Sequence, residues 1–412
     1  MENLTNIEIH LDATVKDNKF FHGMESIEVN KTELFKYGIM MWEVPSHIVE
    51  SNFDYLQDKI PALELLLSDF IEFSVNSIIN LSNDDRIKKL ISEVAGVGLG
   101  LKYSTHLLKT NPNKFKKIGT PNEGKYLDYS TISDLREYEI ETKGTVNKYY
   151  SSMKKDILEK KKNPDHKNVH LRFGTISLLK NKGENSKSKC VIVDDPPEDE
   201  VAENDDTFET QLLSYAIFLS YIIDSTYYNK YIKQLQKRKL SRIRINNAKF
   251  FGKYKFQEKI FFGECFDYRL IRENFEALRN ENIEIENFFR ILTEQVGITK
   301  IFIGLDEKVI TAINKKDESF LNDYEADSIF IDDEQSIKFL DKDGILIVKS
   351  KNRSDNQLEE VFPESEVEKR LGLFDNYIKR EAHLCKAPCR SKDKEGKPCE
   401  IMTFRENCHF HR

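Results

Sequence analysis

The chain has 412 residues, 39% of them hydrophobic and 32% charged, with a formal net charge of −7. That length exceeds one ordinary hydrophobic core, so two to four domains are expected. The mean hydropathy is −0.56, and no apolar run approaches the roughly 20 residues of a membrane helix, which argues against a helical membrane protein. The N-terminal residues MENLTNIEIHLDATV carry neither a basic nor an apolar leader segment, so a cytoplasmic location is the expectation.

In residues 1–80, Ile7, Ile9 and Leu11 alternate with polar neighbours, which predicts a half-buried strand. From Ser46 to Leu81 the pattern predicts helix, interrupted at Pro61. No function is legible in this N-terminal α/β segment. Asn83-Asp84-Asp85 then reads as a helix start, its acids matched to the N-terminal dipole. Ile87, Leu90, Ile91, Val94, Val97 and Leu101 follow at helical spacing. Gly96, Gly98 and Gly100 lie inside that helix without a following Gly-Lys-Ser/Thr. They predict close packing of a neighbour, not a phosphate loop.

Residues 126–143 predict two antiparallel strands closing around Asp134-Leu135. That register sets Leu127 opposite Thr142, Asp128 opposite Glu141 and Ile132 opposite Glu137. Side-chain alternation gives Leu127, Tyr129, Thr131, Tyr138, Ile140 and Thr142 one face, and Asp128, Glu139, Glu141 and Lys143 the other. Directly opposed carboxylates repel across a sheet. A divalent cation between them turns repulsion into ligation, and Mg²⁺ favours carboxylate oxygens plus water. The Glu141-Thr142-Lys143 tripeptide alone carries little, because acid-x-lysine occurs at least seven times in the chain. The competing reading is a charged surface hairpin.

A Lys-rich helix is expected at 146–162, followed by strands in VHLRFGTISLL and KCVIVDD. Helix, hairpin, helix, strand, strand is an α/β order. Asp128, a dozen residues, then Glu141-Thr142-Lys143-Gly144 at a strand end resembles the PD-(D/E)xK nuclease superfamily. The resemblance spans residues 84–180, within a core placed at 81–195. It implies a restriction-endonuclease-like mixed sheet flanked by helices, with Mg²⁺ held by Asp128, Glu141 and the Thr142 carbonyl. It further implies that Lys143 positions or helps deprotonate the attacking water, and that Glu93 on the preceding helix is an auxiliary acid. One departure is that Leu127, not proline, precedes Asp128.

Residues 193–209 carry nine acids and no base, which predicts a linker or exposed loop over 194–206. A second α/β body is expected over 207–376, opening with one long helix from Thr207 to Lys239. Within it, residues 229–256 carry ten Lys/Arg and no acid. Lys237, Arg238, Lys239, Arg242 and Arg244 are candidate phosphate contacts, and the interleaved Tyr231, Phe250, Phe251, Tyr254 and Phe256 could stack on bases. The equal alternative is a solvated helix face followed by a strand whose aromatics are core. Asp341-Lys342-Asp343-Gly344 has only part of a calcium-loop pattern and predicts a turn between strands SIKFL and ILIVK.

Four of the six cysteines fall within residues 385–412. Cys389, Cys399, Cys408 and His411 supply a full tetrahedral Zn²⁺ set, with Cys385 as an alternative ligand and His409 a competing last one. A zinc-binding tail over 383–412 with almost no apolar core would draw its folding energy from the metal. His10, His22, His47, His106, His166 and His170 show no shared metal spacing.

With that resemblance, the leading expectation is a Mg²⁺-dependent DNA endonuclease with structural Zn²⁺; the restriction or anti-phage role is what the resemblance and the domain architecture imply. Enzymes of this type often cut as dimers, so a second copy and a companion defence-system protein join DNA as partners left open. Two alternatives stand beside it: a non-catalytic zinc-containing nucleic-acid-binding protein, and a partner- or ligand-gated nuclease effector.

Overall fold

In a computed structural model of the chain, the architecture is described for residues 4–15, 18–39, 70–118, 127–133, 136–146, 149–162, 169–194, 207–223, 225–247, 252–267 and 298–351, with a few isolated positions besides. Strands β1 (Thr5–Leu11) and β2 (Ser26–Val29) precede helix α1 (Lys31–Ile39). Strands β3 (Ile71–Ser74) and β4 (Ser77–Asn80) follow, then helix α2 (Asp85–Leu107). Next come β5 (Phe115–Lys117), the pair β6 (Tyr129–Ser133) and β7 (Arg136–Thr145), and helix α3 (Ser151–Lys161). Strands β8 (Leu171–Leu178), β9 (Lys180–Asn181) and β10 (Lys189–Val193) close this part. The expected helix, hairpin, helix, strand and strand occur in that order, with the short strands β5 and β9 interposed.

Seven strands form one mixed sheet in the order β2-β1-β10-β8-β7-β6-β5. The pairs β7–β8 and β1–β10 are parallel and the others antiparallel. The first strands of the chain therefore complete the sheet that carries the Glu-x-Lys strand. Local patterning predicts β1 as a strand but not its neighbour, because its partner β10 lies some 180 residues away.

One expectation fails between Ile71 and Asn80, where helix is replaced by the β3–β4 hairpin, which β9 extends. The run IEFSVNSIIN is rich in β-branched residues, and Val75-Asn76 supplies a two-residue turn. The rest of the helix expected from Ser46 lies outside the described residues. Helix α2 begins as expected, since Asp84 caps it by accepting from the N–H groups of Arg86 and Ile87.

The second body starts with helices α4 (Thr207–Ile222) and α5 (Ser225–Gln236). The single helix expected over 207–239 is thus broken. Asp224-Ser225 is a helix-start signal hidden within a continuous apolar and basic run. Strands β11 (Gly252–Phe256), β12 (Lys259–Asp267) and β13 (Ile298–Asp306) are followed by helices α6 (Glu307–Lys315) and α7 (Glu318–Asp323). Strands β14 (Ile329–Asp332), β15 (Ser336–Leu340) and β16 (Ile345–Lys351) complete a wholly antiparallel sheet ordered β11-β12-β13-β16-β15-β14. The Asp341–Gly344 stretch is the expected turn, with Gly344 at φ 80°.

The two sheets share one apolar core that runs from Ile7 and Phe173 through Leu212 and Tyr215 to Ile303 and Ile347. Polar ties cross the same boundary. Asn111 Nδ2 donates to the carbonyls of Tyr324 (3.0 Å) and Lys342 (3.1 Å), and Asn113 Nδ2 donates to the Tyr215 hydroxyl (2.9 Å). The buried ammonium of Lys36 on α1 sits between Asp341 and Asp343, 2.6 Å from an Oδ2 of each. No helix among the described residues is long and apolar enough to cross a membrane.

Candidate active site

Strand β7 lies inside the mixed sheet, between β8 and β6. On one face, α2 approaches so closely that only glycine fits. A Cβ on Gly96 would lie 2.6 Å from both Gly144 N and the Lys143 carbonyl carbon, and one on Gly100 would lie 2.7 Å from Thr142 Cγ2. A Cβ on Gly144 would lie 1.7 Å from the Ser92 carbonyl oxygen. The glycines of α2 are packing residues, as their sequence context predicts. Gly96→Ala is expected to cost about 1–3 kcal/mol by overpacking, read as a lower urea midpoint with an unchanged slope; an unchanged midpoint would show that helix and strand have room to part.

On the other face, α3 packs on β8 and β10, and its Asp156 and Lys160 side chains reach Lys143 and Glu141 of β7. Ile157 packs over Gly174, the residue paired with Glu141 in the parallel ladder. Along β6 and β7 the observed pairs, from Tyr129 opposite Ile140 to Ser133 opposite Arg136, follow the register read from the sequence. The ladder ends there, one step before Asp128 and Glu141. Asp128 N–H donates to the Ile140 carbonyl at 3.1 Å. Its Oδ2 accepts from Thr142 N (3.0 Å) and Thr142 Oγ1 (3.1 Å). A regular pair was expected here. Instead the Asp128 carboxylate takes the place of a main-chain acceptor and binds the residue next to Glu141.

Glu141 is fully buried. Its Oε1 is 2.6 Å from Lys143 Nζ and 2.5 Å from Lys160 Nζ. Asp156 on α3 stands between the two lysines, 3.2 Å from Lys143 and 4.0 Å from Lys160. Glu141 Oε2 is buried and has no hydrogen-bond partner. Burial first, and the Asp128 charge second, push the Glu141 carboxyl up to about 7 despite the two lysines. Burial alone would pull the Lys143 ammonium down, but Glu141 and its hydrogen bond hold it above its ordinary value. Lys143 is therefore a firm cation at neutral pH.

A cavity of about 720 Å³ opens beside these groups, lined in part by Lys88, Lys89, Glu93, Lys117, Asp128 and Lys143. Glu93 reaches it half-exposed from α2, with Lys89 3.9 Å away. Asp128, Lys143 and Glu93 thus share one opening, and Glu141 lies behind it. Among the described residues, no three His, Cys, Asp or Glu side chains converge on one point as a ready-made ion cage. Lys160 and Asp156 escaped the sequence reading. Their signal was the i,i+4 acid–lysine pair on the helix that follows the motif.

No protein-family model, curated protein or solved structure matches this chain.

The basic stripe is placed differently from a helix face. Helix α5 ends at Gln236, and a short 3₁₀ turn covers Leu240–Arg242. Lys237, Arg238, Lys239, Arg242 and Arg244 are all exposed. Arg238 stands 3.8 Å from Glu209, and Arg244 Nη1 donates to the Ile243 carbonyl at 2.8 Å. The aromatics do not share that exposure. Tyr231, Tyr254 and Phe256 are buried, Tyr231 donates its hydroxyl to the Leu212 carbonyl (2.9 Å), and Phe250 packs near Phe262. These four serve the core and offer no stacking platform; Phe251 lies outside the described residues.

Cys385, Cys389, Cys399, Cys408 and His411 also lie outside the described residues. Within the tail, His383–Leu384 pairs antiparallel with Met402–Thr403.

Proposed function

We propose that the chain is a divalent-metal-dependent endonuclease with a restriction-endonuclease-like core, acting on DNA in restriction or anti-phage defence in the cytoplasm. One observation carries this reading. Asp128 and Glu141 each spend one carboxylate oxygen on the protein, and each keeps the other uncommitted among the described residues. Two hard oxygen donors completed by water and substrate phosphate suit Mg²⁺, which seldom takes an all-protein cage. When bound, such an ion supplies a water of lowered pKa and neutralises phosphate charge.

The side chains have distinct parts. The Thr142 N–H and hydroxyl fix Asp128, so its remaining oxygen has a set direction. Lys143, kept protonated by Glu141, donates hydrogen bonds to water or to a phosphate oxygen. It acts by orientation and charge, since a firm ammonium does not take a proton. Glu93, at the rim of the cavity, is placed to hold a further water. The exposed cations from Lys237 to Arg244 are proposed contacts to the DNA backbone.

Two other readings each have an observation in their favour. The double lysine clasp on Glu141 also suits a structural ion-pair network, and hence a non-catalytic DNA-binding protein. A second cavity, of about 680 Å³, sits where α2 ends against α7 and the β15–β16 turn, and suits a gated effector.

Plasmid and single-stranded DNA incubated with Mg²⁺ or EDTA separate these. Cleavage with Mg²⁺ only, lost in Glu141→Ala and Lys143→Ala, is the expected result. Cleavage unchanged in both variants would remove the site assignment, and DNA binding without cleavage would favour the non-catalytic reading. For the tail, about one zinc per chain is expected from elemental analysis; a zinc-free folded protein would refute the knuckle.

A further inference from the structure

Helix α3 brings a second lysine to the Glu141 carboxylate, and the Glu-x-Lys motif gives it no role. Lys160 Nζ is 2.5 Å from the same oxygen that Lys143 contacts, and its side chain is only 16% exposed. A lysine held in the last turn of a helix for surface charge would extend into solvent. This one is turned under the sheet and opposes the buried acid. Because both ammonium groups converge on Oε1, Oε2 is left as the one oxygen of Glu141 without a partner. Asp156, beside both lysines, keeps their two charges from facing each other unscreened.

We propose that Lys160 is a positioning residue of this centre: it fixes Glu141 through Oε1, leaves Oε2 as the oxygen offered to a cation, and adds a positive charge beside it. The inference rests on the nuclease reading. Lys160 adds one positive charge beside the Glu141 carboxylate; without it the centre would hold a cation more tightly and attract an anionic substrate less.

Calorimetric titration of the full chain with Mn²⁺, paired with plasmid-cleavage kinetics, tests this in Lys160→Met and Lys160→Arg. Lys160→Met is expected to bind Mn²⁺ about fivefold more tightly, because a neighbouring positive charge is gone. Its kcat is expected to fall by about ten- to a hundredfold, in the range of lost electrostatic stabilisation. Lys160→Arg keeps the charge and should keep the wild-type Mn²⁺ affinity and recover most of kcat. Wild-type affinity and kcat in Lys160→Met would overturn the proposal. So would equal damage in both variants, which would mark Lys160 as structural. If Lys160→Met does not fold, Lys160→Arg carries the test, and a changed Mn²⁺ affinity there overturns it. A wild-type chain that binds no Mn²⁺ and cuts no DNA would instead take down the nuclease reading itself.

Discussion

Glu141→Gln is expected to abolish Mg²⁺-dependent cleavage while making the protein more stable at pH 8. The activity loss, at least about a hundredfold, follows from removing the charge of a proposed metal ligand. The stability gain follows from burial. The Glu141 carboxyl is raised from 4.5 to about 7, so the folded chain keeps this proton between pH 4.5 and 7 while the unfolded chain has lost it. Stability from this group therefore falls as pH rises through that window, by on the order of 3 kcal/mol once both states are ionised. A neutral glutamine removes the cost, so the variant's advantage should be full above pH 7 and vanish toward pH 4.5. Thermal unfolding at pH 5 and pH 8 reads it directly. Adding Mg²⁺ should raise the wild-type midpoint and leave that of Glu141→Gln in place. A variant less stable than wild type at pH 8 would show that the lysine clasp outweighs burial.

Lys36→Met is expected to cost about 3–5 kcal/mol, because it breaks a buried ion network by removing one partner. Lys36 is fully buried, and its ammonium is raised: burial opposes the charge, but Asp341 and Asp343 overcome it. The same ammonium holds Asp341 below its usual value against burial, while burial pushes Asp343 up to about 6. Without the lysine, two carboxylates face each other in the core with Glu33 close by, itself bound to Lys102. Urea unfolding of Lys36→Met, Asp343→Asn and the double variant gives the coupling. The double variant should lose less than the sum of its parts, since it leaves one carboxylate and not two. Additive losses, or a Lys36→Met cost below about 1 kcal/mol, would mean that water reaches these groups.

Much that depends on neighbouring residues was legible in the sequence. Asp84 as a helix cap, the glycines of α2 as contact points and the β6–β7 register all follow from local rules. What escaped depends on partners far away in the chain. Nothing near Lys36 points to Asp341, 305 residues on, and nothing in β1 points to β10. The candidate site was legible in the same uneven way. Alternation brings Glu141 and Lys143 to one face, but the period-2 rule ends with the ladder. Asp128 lies beyond it, where a side-chain bond to Thr142 decides its direction. Lys160 was hidden because its helix carries four lysines, Lys154, Lys155, Lys160 and Lys161, and only packing across β8 selects which lysine meets Glu141. The aromatics between the basic residues from Lys230 to Phe256 could be read equally as a stacking surface or as core, because composition does not tell an inward from an outward face.

The pairing of β1 with β10 governs how the protein can be dissected. Residues Glu8 to Leu11 lie beside Lys189 to Ile192, so the sheet is finished only after the ribosome has delivered both ends of a loop some 180 residues long. A fragment cut to begin near residue 81, the natural choice from the motif, would strip β1 and β2 away. It would leave β10, with Cys190, Val191, Ile192 and Val193 all buried in the intact chain, as a bare apolar edge. Such edges recruit other chains. An isolated catalytic half should therefore precipitate or pair through that edge, and its silence in an assay would say nothing about the chemistry of the intact protein.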